Sequence, residues 1–474
     1  MRGSSPRRTG RDDDRARLRA RWPAGGRRSE PLSLWSQPPE ALIETLRARG
    51  LRRAWAVTSA AGTVQASDAA VSEQAAEIAA CPDYRRHEAC FFEIGRESDH
   101  LLAAFLHDTR RGQGQGGLRF WSYDTLGEMV RDGLRLALGM GQKSALAGLW
   151  WGGGKGLIAR RPGRDHRDPE LRARVYRDYG RFVSSLRGCY VTAEDVGTTP
   201  EDMVWVHRTT RFVTCVPEAV GGSGNPSRLT ARGVVVAMEA ALAHAGRGEL
   251  AGKTVAMQGL GNVSGFMVEE LLARGVARIT GSDLDEGRIA ALERRFPGAP
   301  LTLRPAPAGD ASILAEPCDV LAPNAVGAVL NPDTIGRIRA PIVCGSANNQ
   351  LARPDRDGAA LLARGIVYVP DFLCNRMGIV NCANEQYGVL PDDPAIAAHL
   401  DRETPYGVYQ RTLEVLRRSA ESGRSTHEEA ARLADELLAE PHPLWPHRGR
   451  RIVDYLVRSG WSRAEAETVK VGDA

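Results

Sequence analysis

Hydrophobic and polar residues follow one pattern over roughly the first 220 residues and another beyond them. In the first part, Glu40–Ala48 predicts a short amphipathic helix, and the apolar runs Ala89–Ile94 and Leu101–Leu106 predict two strands of a hairpin or meander. Apolar residues recur at helical spacing over Thr125–Met140, and Pro169–Ser185 predicts a further helix. The first part of the chain is therefore expected to mix helices and strands.

After Gly222, short and continuously apolar segments alternate with helical or polar ones, beginning with a predicted helix over Thr230–Ala245. The predicted strands are Lys253–Met257, Ala277–Thr280, Cys318–Leu321, Ile342–Cys344 and Gly365–Val369. Continuously apolar strands that are separated by helices are typical of a parallel, doubly wound α/β sheet. After Pro391 the pattern is mainly helical, over Pro405–Ser422 and Thr426–Leu438, and the chain has no internal repeat.

The length of 474 residues suggests two or three domains. We predict a basic tail over residues 1–30, a substrate domain over 31–221, a dinucleotide-binding domain over 222–374 and helices over 375–474 that return to the substrate domain. The tail holds ten Arg against three Asp and one Glu, so it accounts for the whole net charge of +5. It lacks an apolar period and is predicted to be disordered, which favours a solvated tail over a nucleic-acid partner.

With 42% hydrophobic and 26% charged residues, the chain is expected to form a packed globular protein. No apolar run is long enough to span a bilayer and the N-terminus has no apolar signal core, so we predict a cytoplasmic protein without a membrane partner. The eight cysteines are scattered without a C-x-x-C pair, which argues against a disulfide framework and structural zinc. The two histidines of Pro441–His447 are interpreted as part of a loop, and no metal site is predicted.

Lysine is rare in this chain, because only four of the 63 basic residues are Lys: Lys143, Lys155, Lys253 and Lys470. Arginine stays protonated at any useful pH, whereas a buried lysine can lose its proton and act as a base. Lys143 and Lys155 lie in one glycine-rich region, and Lys155 ends what we predict to be a Gly-Gly-Gly-Lys turn. These two lysines are therefore candidate catalytic groups.

A dinucleotide-binding turn is predicted at Gly259-Leu260-Gly261-Asn262-Val263-Ser264, which matches G-x-G-x-x-G except at the last position. A strand precedes it, an apolar helix over Val263–Ala273 follows it, and Asp283 ends the next strand. In such a unit, the backbone and the helix N-terminus receive the pyrophosphate, and the acid accepts hydrogen bonds from the ribose hydroxyls. Asp283 favours NAD over NADP, although Arg288 lies nearby. The alternative is that the glycines only close a βα turn.

Seven motifs occur in a fixed order along the chain. They are Gly116–Phe120, Gly139–Lys143, Gly152–Lys155, Ala193–Thr199, Gly224–Ser227, Gly345–Leu351 and Pro370–Phe372. Together they resemble the glutamate/leucine/phenylalanine/valine dehydrogenase family, and most of all its leucine and phenylalanine branch, from about Tyr84 to Leu438. The resemblance implies a two-domain fold with a Rossmann dinucleotide-binding domain and a homo-oligomer. It also implies a reversible, NAD-dependent conversion of an L-amino acid to a 2-oxo acid and ammonia.

The resemblance also implies roles for individual residues. Lys143 would pair with the substrate carboxylate, Lys155 would activate the attacking water through a lowered pKa, and Asp195 would move a proton to and from the amino group. The implied cofactor-binding residues are Gly259, Gly261, Asn262, Val263, Asp283, Asn324, Ala325, Ala347, Asn348 and Asn375. The other implied substrate-binding residues are Gln115, Gly116, Gly117, Met140, Ala193, Arg376, Ile379 and Cys382.

The chain departs from the family at the expected substrate pocket. Where the family usually has Asn-Ala-Gly-Gly at a strand end that faces the substrate, this chain has Asn375-Arg376-Met377-Gly378. Gln115 stands where the leucine branch has an apolar residue and the glutamate branch a lysine. One hypothesis is that Gln115, with Arg376, admits a polar or unusual side chain. The other is that Arg376 points to solvent or to the domain hinge and that Gln115 packs without a role in binding.

Two other functions compete with an active amino acid dehydrogenase. An inactive relative could bind the dinucleotide for regulation or assembly, and the bulky Arg376-Met377 pair favours this alternative. The presence of Lys143, Lys155 and Asp195 together argues against it, because a binding module needs none of the three. A hydroxy acid dehydrogenase would use a His–Asp pair, and none of the ten histidines lies inside the motifs.

Overall fold

The structure is a computed structural model, and it describes residues 33–463. Two β-sheets organise this part of the chain. The predicted basic tail and Lys470 lie outside these residues. We call the seven-stranded sheet with its helices the first lobe, and the six-stranded sheet with its helices the second lobe.

The first lobe contains β1 (Arg53–Thr58), β2 (Val64–Ala66), β3 (Ala89–Ile94), β4 (Leu101–Leu106), β5 (Gly114–Trp121), β6 (Gly152–Ala159) and β7 (Tyr190–Glu194). Its helices are α1 (Pro39–Ala48), α2 (Ser72–Ala80), α3 (Leu126–Leu146), α4 (Pro169–Ser185) and α5 (Pro200–His207). The strand order is β2-β1-β3-β4-β6-β5-β7. The predicted pairing of the two strands β3 and β4 is confirmed as antiparallel, and β5 runs parallel to both of its neighbours.

The Gly-Gly-Gly-Lys segment is part of a strand, so the predicted turn is wrong. Residues 152–155 open β6, which is bonded to β4 on one side and β5 on the other. Helix α3 lies directly against this strand, because a Cβ added to Gly153 would stand 2.3 Å from the carbonyl oxygen of Ala137. Glycines that would weaken an isolated strand are therefore used to bring α3 close. Helix α3 extends past its predicted end, and the extension carries Lys143.

The second lobe contains β8 (Thr254–Gln258), β9 (Arg278–Asp283), β10 (Leu301–Pro305), β11 (Val320–Pro323), β12 (Ile342–Val343) and β13 (Val367–Tyr368). Its helices are α6 (Ser227–His244), α7 (Asn262–Ala273), α8 (Glu286–Arg295), α9 (Pro332–Ile335), α10 (Pro354–Ala363) and α11 (Asp371–Cys374). The six strands are parallel, in the order β10-β9-β8-β11-β12-β13. The predicted α/β fold is confirmed. The edge strand β10 was not predicted, because its residues are only partly buried.

The order of these strands fixes where a ligand can bind. The chain moves outward from β8 to β9 and β10 on one side, and from β11 to β12 and β13 on the other. The loops after β8 and β11 therefore leave the sheet in opposite directions and open a crevice at its carboxyl edge. Gly259 follows β8, and Asn324 follows β11.

Five helices complete the described chain: α12 (Met377–Glu385), α13 (Pro394–Leu400), α14 (Val408–Ser422), α15 (Thr426–Leu438) and α16 (Arg448–Arg458). Helix α14 packs on α6 and α15 packs on α3, while Val453 and Leu456 of α16 join the core of the first lobe. The predicted domain boundaries remain predictions. Within residues 33–463, no helix has the length and apolar content to cross a membrane.

Candidate functional site

An ion pair between Lys155 and Asp195 connects two strands of the first lobe. Lys155 comes from β6, and Asp195 directly follows β7. The Lys155 Nζ donates a hydrogen bond to Asp195 Oδ2 at 2.6 Å, and the lysine side chain is only 4% exposed. Arg119 of β5 donates to the same oxygen from Nε at 3.3 Å. One carboxylate oxygen thus receives two cationic donors.

Arg119 is held in place from its other side. Its Nη1 donates to both carboxylate oxygens of Asp132 on α3, at 3.1 and 3.0 Å, and the Tyr123 hydroxyl donates to Asp132 as well, at 2.8 Å. Arg119 stands within the motif Gly116–Phe120, and the motif alone predicts no role for it. The available signal was strand alternation, which places Arg119 on the same face of β5 as Gly117, next to Asp195.

Burial and charge act in opposite directions on the two central groups. Burial would raise the pKa of Asp195, but Lys155 and Arg119 outweigh it and lower this pKa to about 2. Burial lowers the pKa of Lys155, Asp195 opposes the shift, and Arg119 adds to it. Asp195 is therefore ionised at neutral pH, and Lys155 is an ammonium group that releases its proton more readily than an exposed lysine.

Lys143 brings α3 into contact with the second lobe. Its Nζ lies 3.4 Å from Asn348 Oδ1, and Asn375 Nδ2 donates to the same oxygen at 2.8 Å. Burial lowers the pKa of Lys143, Asp371 and Asp195 oppose this shift, and Lys155 reinforces it. The long contact to a neutral amide leaves the ammonium group with donor capacity for a carboxylate. The structure thus brings the two predicted lysines and Asp195 to one cleft.

The turn after β8 has the shape that a pyrophosphate requires. Gly259 has a φ of +88°, and a Cβ added there would stand 2.7 Å from the Cβ of Ala325. A Cβ added at Gly261, in contrast, would meet only Arg288 Nη1, at 3.9 Å. The space above the turn is therefore open, and in the described chain no side chain caps the α7 N-terminus that follows. Free N–H groups at a helix N-terminus suit an anionic ligand.

The remaining predicted cofactor residues line the same crevice. Asp283 ends β9 and accepts hydrogen bonds from the Leu260 N–H at 2.6 Å and the Asp285 N–H at 2.9 Å. Ser264, which replaces the third glycine, is buried and donates to the Gly259 carbonyl at 2.7 Å. The other predicted residues are Asn262 and Val263 at the start of α7, Asn324 and Ala325 after β11, and Ala347 and Asn348 after β12.

The side-chain amide of Asn324 in this crevice has a donor, unpaired in the described chain, that a bound ligand could use. Asn324 Oδ1 accepts from the N–H and the hydroxyl of Ser346, at 2.7 and 2.9 Å. Its Nδ2 is buried and finds no acceptor among residues 33–463. A dinucleotide carries the acceptor oxygens that this amide lacks, so the crevice fits a nicotinamide dinucleotide on its own chemistry.

Gln115 and Gly117, two predicted substrate-binding residues, lie on the face of the first sheet that carries Lys155. Gln115 and Gly117 alternate with Gly116 along β5, and a Cβ on Gly117 would reach the Cβ of Asp195 at 2.8 Å. Gln115 therefore shares a face with Asp195. It is 1% exposed, and its Oε1 has no hydrogen-bond partner in the described part of the chain.

Two predicted pocket positions come together with one that was not predicted. Ala193 packs against Cys382 of α12 and against Cys215, whose role sequence analysis did not foresee. Ile379 lies one turn before Cys382 on the same helix and is buried. Met140 of α3 borders Gly116, because a Cβ on this glycine would stand 3.2 Å from Met140 Cγ.

Arg376 and Met377 turn away from this pocket, contrary to the prediction that Arg376 binds substrate. Arg376 is the residue before α12 and Met377 is the first residue of that helix, so neither lies at a strand end. The fully buried Arg376 guanidinium donates to the carbonyl oxygens of Leu146 and Tyr406, so it ties the end of α3 to the loop before α14. Met377 packs on Gly233 of α6. The alternative placement of Arg376 at a hinge agrees with these contacts.

Both lobes contain residues that match models of known protein families. Residues 95–212 match the family model described as Glu/Leu/Phe/Val dehydrogenase, dimerisation domain, and residues 221–292 match Glutamate/Leucine/Phenylalanine/Valine dehydrogenase. A leucine dehydrogenase of Bacillus cereus is 37% identical over 354 residues, which cover 74% of this chain and 91% of the relative. A valine dehydrogenase of Streptomyces coelicolor is 38% identical over 76% of this chain and 94% of its own.

A solved structure supports the same relationship. The L-tryptophan dehydrogenase from Nostoc punctiforme superposes with a TM-score of 0.61 at 29% identity, covering 77% of this chain and 98% of that one. The relatives thus act on amino acids with aliphatic or aromatic side chains, as their names state.

Proposed function

Because the chain belongs to the glutamate/leucine/phenylalanine/valine dehydrogenase family, we propose that it catalyses the reversible, NAD-dependent oxidative deamination of an L-amino acid. The products are the 2-oxo acid, ammonia and NADH. The observation that carries this proposal is the buried Lys155–Asp195 pair, with Lys143 in the same cleft. The bound nicotinamide supplies the hydride acceptor.

The three charged residues divide the work on the substrate. Lys143, with spare donor capacity, holds the substrate carboxylate and so directs the Cα toward the crevice of the second lobe. Asp195 accepts a proton from the substrate ammonium and later returns one to the departing ammonia. Lys155 in its neutral form takes a proton from the water that attacks the imine carbon, and its lowered pKa favours this neutral form over that of an exposed lysine.

The substrate side chain is proposed to be uncharged and to carry a hydrogen-bond donor. The buried Gln115 Oε1 is ready to accept such a donor, and two thiols complete the pocket beside Ala193. Arg376, the cation that could have received an acidic side chain, is committed to two backbone carbonyls. A buried acceptor favours a side chain with a donor over an aliphatic one, because an unpaired polar atom costs about 1–3 kcal/mol.

A panel of amino acids tests the activity and the substrate class together. Purified protein is mixed with NAD and each of the twenty amino acids, and the NADH absorbance band is followed; the reverse reaction uses 2-oxo acids with ammonia. Absence of turnover in both directions would leave the inactive dinucleotide-binding relative as the better function. If leucine and valine are turned over far better than every polar amino acid, the proposed polar side chain is refuted and the dehydrogenase activity is not.

The choice of NAD and the homo-oligomer are parts of the same proposal. A carboxylate at Asp283 ends β9, where a 2′-phosphate would approach, and Arg288 Nη1 lies 3.7 Å from this carboxylate and is engaged with it. The negative charge favours NAD. For assembly, the matched dimerisation domain supports a symmetric homo-oligomer, which light scattering during size-exclusion chromatography measures directly.

A further inference from the structure

Two cysteine sulfurs meet beside Ala193, one of the predicted substrate-binding residues. Cys215 Sγ lies 2.7 Å from Cys382 Sγ, although optimal contacts between carbon atoms, which are smaller than sulfur, lie at about 3.5–4.0 Å. A covalent S–S bond measures about 2.05 Å. Both thiols are buried, Cys215 at 1% and Cys382 at 5% exposure, and both pack against Ala193. The pair is therefore already close to bonding distance.

The surrounding backbone holds the two thiols together. Cys215 has a φ of +61°, a left-handed conformation that a side chain other than glycine rarely adopts. Glu385 stabilises it by accepting hydrogen bonds from the Cys215 N–H at 2.7 Å and from the Ser223 hydroxyl at 2.6 Å. Glu385 and Cys382 lie one turn apart on α12. One face of α12 thus contacts the segment that leads from the first lobe to α6 through two side chains, the carboxylate of Glu385 and the thiol of Cys382.

We propose that Cys215 and Cys382 are a redox modification site, which a hydroperoxide converts to a disulfide and which a dithiol reductant restores, and that the disulfide form has lower dehydrogenase activity. The loss of activity rests on the function proposed above. Formation of the bond does not rest on it.

The oxidation takes two steps. The sulfur of Cys382 attacks an oxygen of the hydroperoxide, so that an S–O bond forms, the O–O bond breaks and water or an alcohol leaves with the thiol proton. The sulfur of Cys215 then displaces hydroxide from this sulfenic acid; an S–S bond forms, the S–O bond breaks and the second thiol proton leaves in water. The two thiols lose two electrons, and the peroxide gains them.

The order of the two thiols follows from their surroundings. The hydrogen bond to Cys382 and then burial raise the pKa of Cys215 well above its ordinary value, so Cys215 keeps its proton and serves as the resolving thiol. A cavity of about 480 Å³ is lined by Thr214, Val216 and Glu385, which flank the pair. A hydroperoxide as small as hydrogen peroxide fits this volume, whereas the reductant needs only to reach the bond when α12 moves.

The bond would act on catalysis through α12. This helix packs on α6 of the second lobe, whereas Cys215 lies in the segment after β7 of the first lobe. A covalent link therefore restrains movement between the two lobes, and it also fixes the side chains that pack against Ala193. Closure of a cleft and placement of the substrate both require such movement, and a misplacement of about 1 Å can cost roughly 100-fold in rate.

The test uses the full-length protein with hydrogen peroxide as the oxidant and dithiothreitol as the reductant. After free thiols are blocked, peptide mapping should find one cross-linked peptide that contains Cys215 and Cys382 and has lost two hydrogen atoms. Activity toward the best amino acid of the panel should fall about tenfold or more and return with dithiothreitol. A cross-link between any other two cysteines in its place, or no cross-link, would overturn the proposal.

Two variants separate this pair from general oxidation. Cys382→Ser removes the thiol that attacks the peroxide, and it should lose no activity to peroxide relative to its own untreated sample. Cys318→Ser, which is partly exposed, keeps both thiols and should lose the same fraction as the parent. Equal losses in Cys382→Ser and the parent, or a cross-linked protein with full activity, refute regulation. If the protein has no dehydrogenase activity, the proposed function is refuted. Peptide mapping still tests formation of the cross-link, because it does not depend on activity.

Discussion

Replacing Asp195 by asparagine tests the central ion pair, because it removes one negative charge and changes the shape of the side chain little. The amide cannot accept the proton of the substrate ammonium, and it leaves the Lys155 ammonium and the Arg119 guanidinium facing each other without their shared counter-ion. We therefore expect two separate effects, one on catalysis and one on stability.

The magnitude on stability follows from the pKa of Asp195. Its lowering from 3.8 to about 2 corresponds to roughly 2–3 kcal/mol in favour of the ionised, folded form. A carboxyl whose pKa is depressed on folding contributes this stability above its unfolded pKa and loses it as the pH falls toward the folded one. The free energy of unfolding of the parent should thus exceed that of Asp195→Asn by roughly 2–3 kcal/mol at pH 7 and by about half of that at pH 3.

On catalysis, loss of a proton-transfer group typically costs about 10²–10⁴ in rate, and kcat should fall by that factor. The pKa of Lys155 should fall further in the variant, because Asp195 is the group that raises it. The limb of the pH–kcat profile that reports Lys155 should therefore move to lower pH.

The assays are the pH dependence of kcat and urea denaturation at pH 7 and pH 3. Asp132→Asn is the matched control, since it frees the far side of Arg119 and leaves the Lys155–Asp195 hydrogen bond in place. The control should lose much less activity than Asp195→Asn. A kcat for Asp195→Asn within about tenfold of the parent, with an unmoved pH profile, would show that Asp195 moves no proton.

Three further changes test the side-chain pocket, the cofactor site and the placement of Arg376. Gln115→Leu should raise kcat/KM for leucine relative to the best polar amino acid by about tenfold or more, and an unchanged ratio would remove Gln115 from specificity. Asp283→Ser should narrow the preference for NAD over NADP by about tenfold, measured as the ratio of the two kcat/KM values. Arg376→Ala should lower the free energy of unfolding by roughly 2–4 kcal/mol in urea and leave the substrate KM within about twofold; a large rise in KM would place Arg376 in the pocket after all.

The sequence predicts the ends of a helix well where local contacts fix those ends. Helices α4 and α15 have the bounds that were predicted, Pro169–Ser185 and Thr426–Leu438. Each begins after a residue whose side chain accepts a hydrogen bond from the first turn, Asp168 in α4 and Ser425 in α15. Such caps are visible in the sequence, because the capping residue directly precedes the helix.

Contacts between distant segments decided the features that sequence patterns missed. Glycines 152–154 predict a turn by their local preference, and only the approach of α3 and the two flanking strands makes them a strand. Arg376 was assigned to the pocket from its neighbours in sequence, but its direction is set by carbonyls at Leu146 and Tyr406. Cys215 and Cys382 are 167 residues apart, and no periodicity or spacing relates them.

The scarcity of lysine acquires a physical reason at the central ion pair. Arg119 and Lys155 both donate to Asp195 Oδ2, yet their roles differ. Arg119 must keep its charge to hold the carboxylate, and a guanidinium does so at any pH at which the protein folds. In the proposed reaction Lys155 must give up its proton, which arginine at the same position could not do. This proposed role accounts for a lysine at position 155 in a chain that uses arginine for nearly every other positive charge, and Lys155→Arg should keep the ion pair while abolishing the base.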